Sequence, residues 1–217
     1  MLTQNPGSVS GATRESLMSS PSGSRKYLNR HERRTYLRVI SAEADPLRRA
    51  FMLTVFFTGC RISEALNLLV SRVDAAAEAL TFETLKRRKP GCFRTVPIPT
   101  TLARLLQRLV SGQPSERRVW GFSRSTAFRM IKAAMKEANI TGAMAMPKGL
   151  RHGLAVACLS VKIPLTTIQK WLGHARLETT AIYLDLLGEE EHALARRLWS
   201  LWDRFCALVN SLLGRKS

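Results

Sequence analysis

Cysteine is sparse in this chain, and the little there is does not cluster. Cys60, Cys92, Cys158 and Cys206 form no C-x-x-C pair and have no His or Cys partner at metal-ligand spacing, which argues against a disulfide framework, a zinc module or a dithiol redox site. They read as reduced thiols. Long apolar runs are also missing. The longest, around Phe51 to Phe57, is far short of the roughly 20 residues that a membrane-crossing helix needs. The N-terminus lacks the charged-then-apolar layout of a secretory signal, so the expectation is a cytoplasmic chain with no membrane partner.

Acidic residues are scarce too. Asp and Glu number 16 against 34 Lys and Arg, a formal charge of +18. An excess of that size favours a polyanionic partner, because each neutralised phosphate releases counterions. The placement of the charge matters more than its sum. Residues 1–29 hold three basic and one acidic side chain, residues 189–217 hold five and four, and the remaining 26 and 11 lie between. The positive field therefore belongs to the centre of the chain and not to a basic tail.

What is present is enough for a core: 217 residues, 45% of them hydrophobic, suit one domain with tails. Residues 1–28, with Ser-Ser-Pro-Ser-Gly-Ser at 19–24, read as a disordered tail. Helical periodicity begins near Asn29 and runs to about Ala44. A second helix starts near Pro46, and a third spans Ile62 to Leu69 after the break at Gly59.

Residues 72–98 change period. Leu80 and Phe82 alternate with polar neighbours, Pro90-Gly91 signals a turn, and Val96 and Ile98 alternate again, which predicts a β-hairpin with a possible third strand near Val73. Helical spacing returns at Leu102–Leu109, Phe128–Met135, Leu150–Leu159 and Leu165–Leu172. The fold class is thus mainly α with a small antiparallel β-sheet (α+β). Within residues 188–217, apolar positions from Leu194 to Leu212 recur every three or four residues, the pattern of an amphipathic helix packed either on its own core or on a neighbouring subunit.

Breaking a phosphodiester without a metal takes a nucleophile, cationic donors for the non-bridging oxygens and an acid for the leaving alkoxide. Candidates for all three lie in a few blocks. These are Thr58-Gly59-Cys60-Arg61-Ile62-Ser63-Glu64, then Leu85-Lys86 with Arg94-Thr95-Val96-Pro97, then Lys148-Gly149-Leu150-Arg151-His152. Last comes Leu172-Gly173-His174, with Thr179-Thr180 between it and Tyr183.

In this order and spacing the blocks resemble the catalytic domain of the tyrosine recombinase (phage integrase) family over about residues 30–187, so that residues 29–187 form the DNA breaking and rejoining unit. The resemblance implies roles residue by residue. Arg61 and Arg151 would hold the phosphate, with Glu64 orienting Arg61. Lys86 would protonate the departing 5′ oxygen, with Lys89 as the competitor. His174 would hydrogen-bond a non-bridging oxygen or the leaving side. Tyr183 would attack phosphorus. One position departs from the pattern: Lys148 stands where the family often has His, leaving either Lys148 or His152 to receive the tyrosine proton.

The same resemblance implies double-stranded DNA as partner, a homo-oligomer on DNA (a tetrameric synapse), and no metal or other cofactor. Two alternatives stay open, a type IB topoisomerase-like enzyme and a DNA-binding regulator that has lost catalysis. About 29 residues precede the matching region, where typical recombinases carry a helical core-binding domain of about a hundred, so the chain resembles the short single-domain members.

Overall fold

The computed structural model describes residues 25–84, 91–183 and 200. Lys86 and Lys89, the Ser/Gly-rich segment up to residue 24, and the amphipathic C-terminal pattern lie outside the described residues.

Local chemistry sets the helix ends. Asn29 caps α1 (Arg30–Ala42): its side chain accepts from the Glu32 N–H while Glu32 accepts from the Asn29 N–H, so two otherwise orphaned donors are satisfied. Asp45 caps α2 (Pro46–Thr58), whose first residue is a proline and needs no donor there. That helix stops at Gly59, which takes the left-handed conformation at φ 59°. A Cβ on Gly59 would lie 2.9 Å from Leu154 Cδ2, so the turn admits only glycine without displacement.

Helix α3 (Ile62–Leu66) is shorter than the expected run to Leu69. Beyond it the backbone is taken by an extended neighbour: Val119 N–H donates to the Leu68 carbonyl, and Val70 N–H to that of Arg117. After a short 3₁₀ turn, β1 (Val73–Asp74), β2 (Ala79–Glu83) and β3 (Phe93–Pro97) form an antiparallel sheet in that order, with Leu80 opposite Val96 and Phe82 opposite Arg94. Then follow α4 (Thr100–Val110), α5 (Arg124–Glu137), α6 (Pro147–Ser160), α7 (Leu165–Leu172) and the short α8 (Glu178–Ala181).

The main core surrounds α2, with Phe51, Val55 and Phe56 buried against Tyr36 and Ile40 of α1, Leu102 and Leu106 of α4, and Ile131 and Met135 of α5. Each such side chain contributes about 1.5–3 kcal/mol by leaving water. A smaller cluster joins Ala155 and Leu159 of α6 to Ile168 and Leu172 of α7 and to Tyr183. The fold is mainly helical with one small antiparallel sheet, as the change of period between residues 72 and 98 implied.

Residues 25–28 belong to the packed unit and not to the tail in which the sequence reading placed them. Leu28 is buried, and its N–H donates to the Gly149 carbonyl at 3.4 Å. Among the described residues no helix is long and apolar enough to cross a membrane.

Candidate active site

The site is built where the ends of α2 and α7 meet the starts of α3 and α6. Arg61 immediately precedes α3, and Glu64 sits one turn later on the same face. The Glu64 carboxylate accepts from Arg61 N–H at 2.8 Å and from Arg61 Nη1 at 2.6 Å. It also accepts from Arg94 Nη2 at 2.7 Å. Burial alone would raise the Glu64 pKa, but the hydrogen bonds and charges of Arg94 and Arg61 outweigh it and hold the carboxyl below its ordinary value. Glu64 is fully buried while the Arg61 side chain is 28% exposed, so the carboxylate anchors the arginine from behind and leaves it facing outward.

Arg94 is a further member of this site, one to which the sequence motifs assign no part. It is buried, and besides Glu64 its guanidinium donates to the Trp171 carbonyl at 2.8 Å and to Thr84 Oγ1 at 3.1 Å. It therefore ties β2, β3, α3 and the end of α7 together. The signal was available: Val96 and Ile98 point inward, and the same two-residue period carried back one step places Arg94 on the buried face. Gly173, at φ 66°, makes room for it, since a Cβ there would stand 2.9 Å from Arg94 Nη1.

Arg151, one turn into α6, is clamped at two helix C-termini. Nη1 donates to the Gly59 carbonyl at 2.8 Å and Nη2 to the Leu172 carbonyl at 2.5 Å. Both carbonyls end helices, where the partial negative charge favours a cation. Burial and the charge of Arg61 lower the Arg151 pKa to about 10, which still leaves the guanidinium charged at neutral pH.

The two histidines and Tyr183 form the other wall. His174 Nδ1 lies 2.9 Å from the buried Thr180 hydroxyl. Burial, then Arg151 and Arg61, pull its pKa down to about 3. A neutral ring that accepts the Thr180 proton at Nδ1 carries its own proton on Nε2, as a donor. His152 Nδ1 lies 2.7 Å from the Tyr183 hydroxyl. Burial, followed by Lys148 and Arg151, brings His152 down to about 4. Tyr183 is 1% exposed; burial pushes its pKa up to about 12, against the pull of Arg151.

These walls enclose a cleft of about 670 Å³ lined by Arg61, Glu64, Lys148, Arg151, His152 and His174 on its polar side. Phe128 and Met146, both exposed, add an apolar ledge. Arg124 also lines it, with Nη1 donating to Ser63 Oγ at 2.5 Å. Of the residues singled out in the sequence, Arg61, Glu64, Lys148, Arg151, His152 and His174 meet here. Tyr183 reaches the site through His152. Lys86 is outside the described residues.

The sequence model of the phage integrase family matches residues 26–190. The chain belongs to the phage integrase family. A tyrosine recombinase of Thermosipho africanus is 27% identical over 177 residues, covering 79% of this chain and 61% of that protein. The tyrosine recombinase XerD of Mycobacterium tuberculosis is 32% identical over 166 residues, covering 70% of this chain and 50% of that one. The crystal structure of a XerA recombinase superposes with a TM-score of 0.66 at 26% identity, over 78% of this chain and 65% of that chain. The chain thus spans about half to three-fifths of the length of the curated relatives it matches. For this phage integrase family member the matched stretch contains every site residue described above.

Proposed function

We propose that this chain is a site-specific DNA recombinase that cleaves and rejoins DNA strands through a 3′-phosphotyrosyl intermediate on Tyr183, without metal or ATP, acting as a homo-oligomer on double-stranded DNA. The observation that carries the reading is the hydrogen bond between Tyr183 and His152 at the edge of a cleft lined by Arg61, Arg151 and His174. Arg61 and Arg151 neutralise the charge that builds on the pentavalent phosphorus, and the His174 tautomer that accepts from Thr180 at Nδ1 adds a neutral donor at Nε2.

The Tyr183 oxygen attacks phosphorus as the bond to the 5′ oxygen breaks, and Lys86 supplies the proton to that oxygen. The phenol proton goes to His152 Nδ1. Burial pushes the Tyr183 pKa up and the His152 pKa down, so transfer ahead of attack is unfavourable. The proton therefore moves as the P–O bond forms. A bound phosphate eases this by offsetting Lys148 and Arg151, whose charges depress His152. Tyr183 is almost fully buried while its neighbour Ile182 lines the cleft, so attack on a phosphate held in the cleft requires the ring to turn outward.

The test is incubation with nicked duplex carrying candidate sites in the presence of a chelator, followed by denaturing electrophoresis. A covalent protein–DNA adduct is expected; its absence on a site that the protein binds specifically favours the regulator reading.

A further inference from the structure

Helix α1 carries four arginines and a single acidic residue, Glu32. Glu32 is engaged at the start of the helix, pairing with Arg25 at 2.6 Å and accepting from the Asn29 N–H. Arg33 turns inward: Nη1 donates to the Leu150 carbonyl and its guanidinium stacks over Phe56 at 4.4 Å. The other three, Arg30, Arg34 and Arg38, are exposed. Four-residue steps place them in one line along the helix. None of the three forms an ion pair among the described residues.

The line starts against the helix that supplies one wall of the cleft. Leu28 N–H donates to the Gly149 carbonyl, and the Leu28 carbonyl oxygen lies 2.8 Å from where a Cβ on Gly153 would be. The chain entering α1 is therefore pressed against the first turns of α6, which carry Lys148, Arg151 and His152. Lys26 is near enough to act on the charge of His152.

We infer that Arg30, Arg34 and Arg38 form a ridge that tracks a DNA phosphate backbone as it leaves the cleft, extending the grip of the catalytic site along the duplex. Charge spacing supports a nucleic acid as the occupant. Eight residues of helix rise about 12 Å, and one DNA strand carries a phosphate about every 3.4 Å of axis. Three guanidinium groups over that length therefore meet a comparable density of phosphate charge on one strand. Arg30 and Arg34 line a groove against Gly153, Val156 and Ala157 of α6, the helix whose first turns bring Lys148 and Arg151 to the cleft. This inference rests on the DNA-binding reading above, but it does not need catalysis.

The experiment measures binding of the full chain to a 30-base-pair duplex of random sequence (about three helical turns) by fluorescence anisotropy over a salt series. Each neutralised phosphate contributes about 0.9 to the slope of log affinity against log salt. The triple variant Arg30→Gln/Arg34→Gln/Arg38→Gln is expected to lower that slope by about 2 to 3, and the matching triple Lys variant to restore it. The pair Arg104→Gln/Arg108→Gln, exposed on α4 and outside the lining of the cleft, is the comparison, with an expected loss well under 1 unit.

Equal loss per charge in the two variants would show diffuse net charge and overturn the ridge. An unchanged slope overturns it as well. If that came with an altered oligomeric state in sedimentation, the ridge would instead belong to a protein contact. A failure of the recombinase reading is separate, since it appears as no covalent adduct from wild type on nicked DNA, whatever the salt slopes.

Discussion

Two buried tyrosines mark two regions built to different ends. Tyr36 lies in the main core, fully buried, stacked on Phe56 with ring centroids 6.0 Å apart, and its hydroxyl has no hydrogen-bond partner among the described residues. Tyr183 lies in the smaller cluster, equally inaccessible, with its hydroxyl on His152. The first region spends its contacts on packing and tolerates an idle polar atom. The second keeps a polar contact at the end of an apolar ring, beside Arg151 and two depressed histidines. Burial alone therefore does not separate a core tyrosine from the one proposed as nucleophile; the company of the hydroxyl does.

The sharpest break of that comparison is Tyr183→Phe. Removing one oxygen leaves the ring and its apolar neighbours in place, so folding and DNA binding should persist while covalent adduct falls below detection. That is a loss of at least three orders of magnitude, the scale of about 4 kcal/mol in a barrier. An adduct that survives in the variant, seen by denaturing electrophoresis, moves the nucleophile to another residue.

Next in size is the carboxylate behind the cations. Glu64→Gln keeps the volume but leaves the buried Arg94 guanidinium without its counter-charge, and breaking such a pair costs about 3–5 kcal/mol. Urea unfolding should show that loss. Adding Arg94→Met removes the stranded charge, and the double variant should be less destabilised than the sum of the two single changes. Additive losses would mean that Glu64 serves Arg61 alone.

Much of this was legible in the sequence, and the reasons are specific. The change from helical to two-residue period at Leu80–Ile98 set out the sheet, and Gly59, Pro46 and Gly173 marked ends that the structure places at those residues. Arg61, Glu64, Arg151 and His174, which line one cleft, stood out because their spacing is carried by short motifs. Arg94 did not: the strand period places it on the buried face, but its part depends on contacts with Glu64, Thr84 and Trp171, the farthest 77 residues away, which no local pattern records. The motifs leave Lys148 and His152 as alternative acceptors of the tyrosine proton, and the contact of His152 with the Tyr183 hydroxyl, 31 residues away, is what favours His152 in the proposed reaction. The end of α3 depended on pairing with residues 117–119, again a distant partner.

A smaller effect comes from pH. His152 and His174 have folded-state pKa values of about 4 and about 3, below the unfolded value of about 6.5. Between those limits the unfolded chain binds more protons than the folded one, so stability is fully present above about pH 6.5 and falls as pH drops toward 4. Thermal melts at pH 7.5, 6, 5 and 4.5 should show the midpoint falling across this window. His152→Gln and His174→Gln should each flatten the trend, and a wild-type midpoint constant from pH 7.5 to 4.5 would contradict the neutral, buried state of both rings.

The smallest expected effect closes the comparison on its other side. Tyr36→Phe deletes a hydroxyl that is buried without a hydrogen-bond partner among the described residues, and burial holds its pKa above the ordinary phenol value. Deleting an unsatisfied buried hydroxyl removes a desolvation cost and no bond, while the ring and its stacking on Phe56 stay. Stability should change by less than about 1 kcal/mol, with the sign toward stabilisation, and adduct formation should equal wild type. The same one-atom deletion then gives opposite outcomes at Tyr36 and Tyr183, although both rings are fully packed. A loss of adduct in Tyr36→Phe without loss of stability would mean that the main core and the site are coupled through α1, and the division between the two regions would have to be redrawn.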